Sequence, residues 1–578
     1  MTVGLLMAKL AARHGLQVAG YPEYPSLIQG GHNTFEITVA PQTTPDPIAT
    51  KKTIDCLVCL TAETLPLHAS RLTPDSLVVY DPAIFQPTAE QTVARLVPVP
   101  LSELQAGLKA DKIMINTIAF GASGALFGSS QQDVVALIAD QFAGKKSTAV
   151  AEINQACVTA GFTYIATHFP ELMRPTLTLT TDPALTQLVM TGNDAFSLAS
   201  IAADCRLYVS YPMTPTSAVL EILSAFQSSS EMVVKTAEDE IAVIATALGA
   251  SFAGVRTAVG TSGGGFALMV EHISYAGIAE IPLVILLGQR PGPATGMPTW
   301  TEQGDLLFAV HAGHGEFPKI VLAAGDLSEM AQLTVKAFDL ADRYQTPVII
   351  LSDKYLAESA RSVPNSVFTA LQATTPDRGK LIGLSPADAP LDPAVKYERY
   401  AVTDDGISPR LIPGTAGQYY QANSYEHLPD SHTSEDGIVR VQQVDKRARK
   451  METYLREDWA APAVTGSLSD AKLVMVTWGS QMIPCGAAQT LLACEGIQTA
   501  LIHFTHLYPL DRAVISQLFA SIKVPILLVE NNATGQLGKL LMEEVGVEIS
   551  DKLLKYDGRP LFQEEVMAAV RKRLQITE

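Results

Sequence analysis

The sequence is poor in cysteine, with six in 578 residues and only Cys56 and Cys59 close together. That excludes a disulfide-stapled fold, and no second pair completes a zinc or iron–sulfur ligand set. Cys56-x-x-Cys59 lies inside an apolar run, IDCLVCL, and is read as two core cysteines in a reduced, cytoplasmic protein. Long apolar runs are also missing. The longest, 281–287 (IPLVILL) and 525–529 (PILLV), have strand length, far short of the ~20 residues a membrane span needs. Positive charge is scarce: Lys+Arg 41 against Asp+Glu 59 gives −18. This excludes a general nucleic-acid backbone binder, which needs a basic surface to release counterions, and argues against docking on anionic membranes. The opening MTVGLLMAKLAARHG has no basic residue ahead of its apolar stretch and no A-x-A after it, so it reads as an amphipathic helix rather than a signal peptide. H-E-x-x-H and G-D-G are both absent.

What is there is a large, apolar, multidomain α/β chain. Hydrophobic residues make up 47% and charged residues 17%, ample for buried cores. The front, 1–183, alternates helical and strand patterns. Val3, Leu6 and Leu10 keep helical spacing, Gly15 stops the helix, and 54–60 and 76–80 (SLVVY) read as buried parallel strands. A dinucleotide fold would start with a strand and a glycine-rich turn, and neither precedes this first helix. A second α/β unit spans 188–365, with strands at 207–210, 283–287 and 347–351. Over 366–465 the pattern dissolves into Pro, Asp, Gly and Tyr, then a charged stretch, VDKRARKMETYLRED, read as an extended linker ending in an exposed helix. A smaller α/β domain, 466–578, follows.

Four motifs stand out in the second unit. Tyr211-Pro212-Met213-Thr214-Pro215 follows LYVS and precedes a helix. Proline at a first helical position with threonine before it makes an N-cap whose free N–H groups and hydroxyl suit a carboxylate. Glu238-Asp239-Glu240 opens an Ala/Gly-rich helix. The helix dipole favours acids there, and a buried one could transfer protons. Thr261-Ser262-Gly263-Gly264-Gly265 follows a strand; it is either a tight turn or a place where backbone approaches a ligand. Arg290, directly after IPLVILLGQ and before a Pro/Gly loop, is either a structural salt bridge or a bidentate carboxylate partner.

Together YPMTP, EDEIAVIATALGASFAG, TSGGGFALMVEHISYAG and GQRPGPATGMPTWTEQGDL resemble the α subunit of 2-oxoacid:ferredoxin oxidoreductases. ISPRLIPGT, VDKRARKMETY, VENNATGQL and YDGRPL extend the match, and GYPEYPSLIQGGHNT resembles the family's γ domain, fused ahead of α. The resemblance covers nearly the whole chain and is nearest the 2-oxoglutarate type. It implies a γ-type domain, a pyrimidine-binding-type domain of thiamine diphosphate enzymes and a transketolase C-terminal-like domain.

The resemblance also implies the reaction: CoA-dependent oxidative decarboxylation of a 2-oxoacid, giving acyl-CoA (succinyl-CoA from 2-oxoglutarate), CO2 and reduced ferredoxin. Glu240 matches the carboxyl group that activates the cofactor's aminopyrimidine. Thr214 and Arg290 match the holders of the substrate carboxylate, and Tyr211, Pro212, Thr261, Ser262 and Gly263 match residues lying against the cofactor. With no G-D-G to go with Asn531-Asn532 and no cluster cysteines, thiamine diphosphate, Mg2+ and a 4Fe–4S cluster are expected mainly on a separate β subunit in an (αβ)2 assembly. Ferredoxin, usually acidic, is expected to dock there too, away from the −18 charge of this chain. Pyruvate or branched-chain 2-oxoacids, and a non-catalytic assembly subunit, are the alternatives.

Overall fold

A computed structural model describes residues 2–26, 31–44, 47–88, 90–142, 148–179, 187–382 and 396–576. Residues 27–30 of the GYPEYPSLIQGGHNT motif, the expected boundary near 183 and the 383–395 part of the expected linker lie outside the described residues. The chain divides into two compact units. The first comprises Met1–Met190, Ser359–Asn365 and Phe562–Glu564; the second holds Thr191–Glu358, Ser366–Leu561 and Glu565–Glu578.

In the first unit the helix Thr2–Arg13 buries Leu6, Ala8, Leu10, Ala11 and Ala12, and Gly15 turns the chain at φ 73. The next strand, Leu16–Glu23, sits in an antiparallel four-stranded sheet between Thr34–Pro41 and Ala360–Pro364, with Gln187–Met190 beyond. A separate parallel sheet joins Ile54–Cys59, Leu72–Tyr80 and Arg95–Pro98, as the apolar runs suggest. The helices Ile115–Phe127 and Thr148–His168 pack backbone to backbone: Gly121 faces the Val158 carbonyl and Gly161 the Ile118 carbonyl. The reading of both strand cysteines as core residues needs correction. Cys59 is buried but Cys56 is exposed, because successive residues of a strand face opposite sides and these two are an odd number of positions apart.

The second unit holds a seven-stranded sheet ordered His506–Tyr508, Ile320–Ala323, Pro347–Asp353, Leu283–Gln289, Thr257–Thr261, Leu207–Ser210, Val233–Thr236. All strands are parallel except His506–Tyr508, which runs antiparallel to Ile320–Ala323. Every residue of Leu283–Gln289 and Pro347–Asp353 is buried, the reason these strands read as unbroken apolar runs. A five-stranded sheet, ordered Ala463–Thr465, Thr499–Phe504, Leu473–Trp478, Ile526–Glu530, Asp551–Leu554, is parallel except at its first strand. One core runs through both sheets, from Ile285 and Val321 to Val476, Trp478 and Ile502.

The helix read as exposed is the clearest departure from expectation. Gly437–Glu457 buries Gln443, Lys446, Arg447, Lys450, Thr453 and Tyr454. Lys446 and Lys450 are fully buried on the equally buried carboxylate of Glu280, with Lys446 Nζ 2.6 Å from Oε1. Arg399 donates to the Glu280 carbonyl at 2.7 Å, and Arg447 pairs with Glu426 at 2.7 Å. Arg410, from ISPRLIPGT, pairs with Asp342 at 2.8 Å. The charges are there to neutralise buried acids, not to solvate a face. Among the described residues no helix is long and apolar enough to cross a membrane.

Candidate functional site

Strand order sets the site. The carboxyl ends of Leu283–Gln289, Thr257–Thr261, Leu207–Ser210 and Val233–Thr236 lie side by side, and each runs straight into one of the four motifs. That edge is where α/β sheets bind ligands, since loops diverge there and helix N-termini converge.

After Leu207–Ser210, Tyr211 is 41% exposed and Thr214 half-buried. The expected N-cap at Thr214 is corrected. The helix is Ser217–Ser230, its cap position is Thr216 with no side-chain cap bond, and Thr216 Oγ1 instead donates to the Met213 carbonyl at 3.1 Å. The Thr214–Pro215 peptide is cis, and Asn193 Nδ2 donates to the Pro215 carbonyl at 2.8 Å. Arg290 Nη1 donates to the Thr214 carbonyl at 2.9 Å. Among the described residues Arg290 forms no ion pair, so the structural salt bridge weighed for it is not what holds it. Burial pushes its pKa down, and Asp305 partly offsets this.

The three acids after Val233–Thr236 part company. Glu238 is exposed. Asp239 caps the helix Glu240–Phe252, accepting from Ala242 N at 2.8 Å. Glu240, 4% exposed, points inward with Oε1 unpartnered. It faces the glycine turn: a methyl group on Gly265 would stand 2.6 Å from Glu240 Cγ and closer still to Glu240 Oε1 and Thr261 Oγ1. The third glycine is therefore required by the acid and threonine beside it. Thr261 and Ser262 are fully buried, and Ser262 Oγ has no hydrogen-bond partner. A buried polar atom without a partner costs ~1–3 kcal/mol, so two of them at one glycine-rich helix start, Gly263–Ala279, single this spot out.

Two further acids, which sequence reasoning passed over, join the edge. Asp305 lies at the same helix start: its carboxylate oxygens are 2.9 Å from where a Gly263 methyl would stand. Burial raises Asp305 to about 6 while Arg290 pulls it down; burial, with Asp305 adding to it, raises Glu302 to about 7. The signal was present in TEQGDL, two acids one turn apart between a strand-end arginine and an apolar helix. Gln303, which follows Glu302, is fully buried in a complete joint. Its Nε2 donates to Trp478 O at 2.9 Å, its N–H to Asn531 O at 2.7 Å, and it accepts from Asn531 N at 3.1 Å and Asn532 Nδ2 at 3.2 Å. The backbone of Asn531 and the side chain of Asn532 are thus fastened to the Gln303 loop. Among the described residues no group of three or more His, Cys, Asp or Glu side chains could hold a metal ion.

Comparisons with known proteins agree with one another. Residues 198–441 match the family model described as pyruvate flavodoxin/ferredoxin oxidoreductase, thiamine diP-bdg, and residues 1–164 match the model for pyruvate ferredoxin/flavodoxin oxidoreductase. The chain is 31% identical to 2-oxoacid:ferredoxin oxidoreductase 2, subunit alpha, of Aeropyrum pernix, over 100% of this chain and 96% of that one. It is 26% identical to the 2-oxoglutarate synthase subunit KorA of Methanothermobacter thermautotrophicus, over 66% of this chain and 97% of that one. A solved structure, 2-oxoglutarate:ferredoxin oxidoreductase from Magnetococcus marinus with 2-oxoglutarate, coenzyme A and succinyl-CoA bound, superposes with TM-score 0.90. It is 28% identical and covers 100% of this chain and 97% of that one.

Proposed function

The chain belongs to the 2-oxoacid:ferredoxin oxidoreductase family, on the side of its α subunits, and from that premise we propose that it builds the substrate half of a CoA-dependent 2-oxoglutarate:ferredoxin oxidoreductase completed by a β subunit. The observation that carries this reading is Glu240, a buried carboxyl group with one oxygen unpartnered, against a helix start whose Gly265 leaves no room for a side chain.

Those residues suit one end of thiamine diphosphate. A flat heterocycle can lie on bare glycine backbone, and Glu240 Oε1 offers the hydrogen-bonding atom its aminopyrimidine needs. Bound there, the cofactor would supply a nucleophilic carbon for the keto group and an electron sink for the decarboxylation. Glu240 holds and exchanges the proton at Oε1. Tyr211, Pro212, Thr261, Ser262 and Gly263 line the cofactor's face, and burial of Thr261 and Ser262 keeps water from it. Arg290, already tied to the Thr214 carbonyl, turns its remaining donors to the substrate's carboxylate beside the Thr214 hydroxyl. The diphosphate end does not fit this chain, which has no G-D-G and in which the side-chain amide of Asn532 is spent on Gln303 and Glu530 and that of Asn531 on the Lys555 and Arg559 carbonyls. We assign the diphosphate, Mg2+ and the 4Fe–4S cluster to the β subunit, and the ferredoxin docking surface with them, in an (αβ)2 assembly.

Specificity for 2-oxoglutarate is supported by the Magnetococcus structure and the KorA relatives. The test is to express the chain with its β partner and to follow CoA-dependent dye reduction with 2-oxoglutarate, pyruvate and a branched-chain 2-oxoacid. 2-Oxoglutarate should give the highest kcat/KM; pyruvate as the better substrate would overturn that choice. Glu240→Gln should lower turnover ~10²–10⁴-fold, the range for a lost acid–base group, while the enzyme still assembles and binds thiamine diphosphate. Near-normal turnover would refute the role given to Glu240.

A further inference from the structure

The edge holds more negative charge than the reaction's outline asks for. Besides Glu240, Asp305 and Glu302 lie on the loop that follows Arg290. Acids beside an arginine that receives an anion work against it unless their charge can be removed.

Asp305 is placed with care. Its N–H donates to Gln289 Oε1 at 3.0 Å, and Gln289 is itself buried and donates to the Ser352 carbonyl at 3.3 Å. On either side, Gln536 Nε2 donates to Gly304 O at 2.7 Å, and Gln536 Oε1 accepts from Leu307 N at 3.0 Å. Asp305 stands at the cap position of the short helix Leu306–His311, where an aspartate ordinarily caps, yet its side chain makes no cap bond. The carboxylate is turned instead to the start of Gly263–Ala279, at Gly263. Among the described residues neither of its oxygens accepts a hydrogen bond.

The charges that face it can be named. Arg290 comes from the end of Leu283–Gln289, and Glu302 from its own loop. Glu240, from the helix Glu240–Phe252, meets the same helix start two residues on, at Gly265. The first turn of Gly263–Ala279 brings no acidic side chain. Gln289 and Gln536 are neutral, and Asp353 is engaged by the Leu356 N–H at 2.9 Å and by Thr301.

We propose that Asp305 is a positioning residue for the 2-oxoacid: it is the counter-charge of Arg290 in the free site and takes a proton from solvent as the substrate's carboxylate arrives. This rests on the reading of Arg290 as carboxylate holder. The physical argument has two parts with the same sign. An anion on the guanidinium cancels the attraction that keeps Asp305 ionised, and it also adds a like charge nearby. Asp305 already titrates at about 6, so only a small further rise brings it through neutrality. Substrate binding then draws in a proton, and affinity for the anion weakens as pH rises. The neutral form of Asp305 leaves Arg290 to the substrate; the charged form competes for it.

The experiment uses the assembled enzyme freed of thiamine diphosphate, so that 2-oxoglutarate binds without turnover. Calorimetry at pH 7 in two buffers of different ionisation heat counts the protons exchanged. A rise of about one unit in the Asp305 pKa corresponds to uptake of ~0.4 proton per site. Asp305→Asn should abolish that uptake, and Glu302→Gln should retain it. In turnover by the loaded enzyme, wild-type KM should climb between about pH 6 and 8 with kcat little changed, whereas Asp305→Asn should show a flat KM over that range. Uptake that persists in Asp305→Asn, or binding by wild type without uptake, overturns the proposal. Should Asp305→Asn not assemble, Asp305→Glu decides, because moving the carboxyl by one methylene should shift the KM profile, and an unmoved profile refutes the role. Arg290→Ala separates the two readings: 2-oxoglutarate binding unaffected by that change removes the carboxylate holder itself, whatever Asp305 does.

Discussion

Gly265→Ala tests the site through a single methyl group. A Cβ there would lie 2.6 Å from Glu240 Cγ and nearer to Glu240 Oε1 and Thr261 Oγ1. Ordinary carbon contacts are ~3.5–4.0 Å, so something must yield by about 1 Å. Thr261 ends a central strand paired on both sides and cannot move far. Glu240 has no hydrogen bond at Oε1 to resist and will give way. Overpacking costs ~1–3 kcal/mol, against a gain of ~0.5–1 kcal/mol from removing a helical glycine, for a net loss of ~0–2.5 kcal/mol. A 1 Å misplacement of a reacting group costs ~10²-fold in rate. Turnover should therefore fall about a hundredfold while the unfolding transition moves little. Gly264 is the internal comparison, since a methyl group there meets nothing within 4 Å; Gly264→Ala should be neutral or slightly stabilising in urea unfolding. The decisive arm is the double variant. If Gly265→Ala acts by displacing Glu240, it should cost almost nothing further in a Glu240→Gln background. Additive losses, or wild-type turnover in Gly265→Ala alone, would refute the mechanism.

Arg290→Ala should lower kcat/KM at least tenfold for every 2-oxoacid tried, the equivalent of ~1.5–3 kcal/mol for a charge-assisted bond, and Arg290→Lys should already be harmful. A loss confined to 2-oxoglutarate would move Arg290 to side-chain recognition. Glu280→Gln should destabilise the second unit by ~3–5 kcal/mol in urea unfolding, because it strands the buried Lys446 and Lys450; Lys446→Met in that background should recover part of the loss. His427, fully buried and stacked on Tyr400 at 3.9 Å, has its pKa pushed down to about 4 by burial. The unfolded chain takes that proton first, so stability should drop as pH is lowered from ~6.5 to about 4, by up to ~3 kcal/mol. His427→Gln should flatten that limb of the profile.

The site's outline was legible because parallel strands buried on both faces read as unbroken apolar runs, and the motifs directly follow them. Arg290 after 283–289 and the glycines after 257–261 needed no distant information. Three acids in a row were legible as a helix start but not as individuals: Asp239 and Glu240 differ only in which side of the first turn they face. Thr214 was misjudged as a cap because its helix begins after the second threonine, Thr216. The pairings that assemble the units were beyond local pattern. Val18 donates to Ser362 Oγ across 344 positions, and no periodicity announces such a partner. Likewise the charged helix of 437–457 reads as solvated until Glu280, 166 positions before Lys446, is seen to need its lysines.

Gln303 has a consequence for anyone treating 466–578 as an exchangeable cassette. Its N–H, its carbonyl and both ends of its amide are all engaged by Trp478, Asn531 and Asn532, so the loop carrying Glu302 and Asp305 has its coordinates written in the C-terminal segment. A chimera that takes this segment from a relative inherits that relative's placement of the loop, whatever residues the loop keeps. Deletion from 466 onward unfastens the loop that carries both acids. Breeding new substrate preferences into this scaffold therefore means co-selecting positions 302–305 with 478, 531 and 532 as one heritable unit.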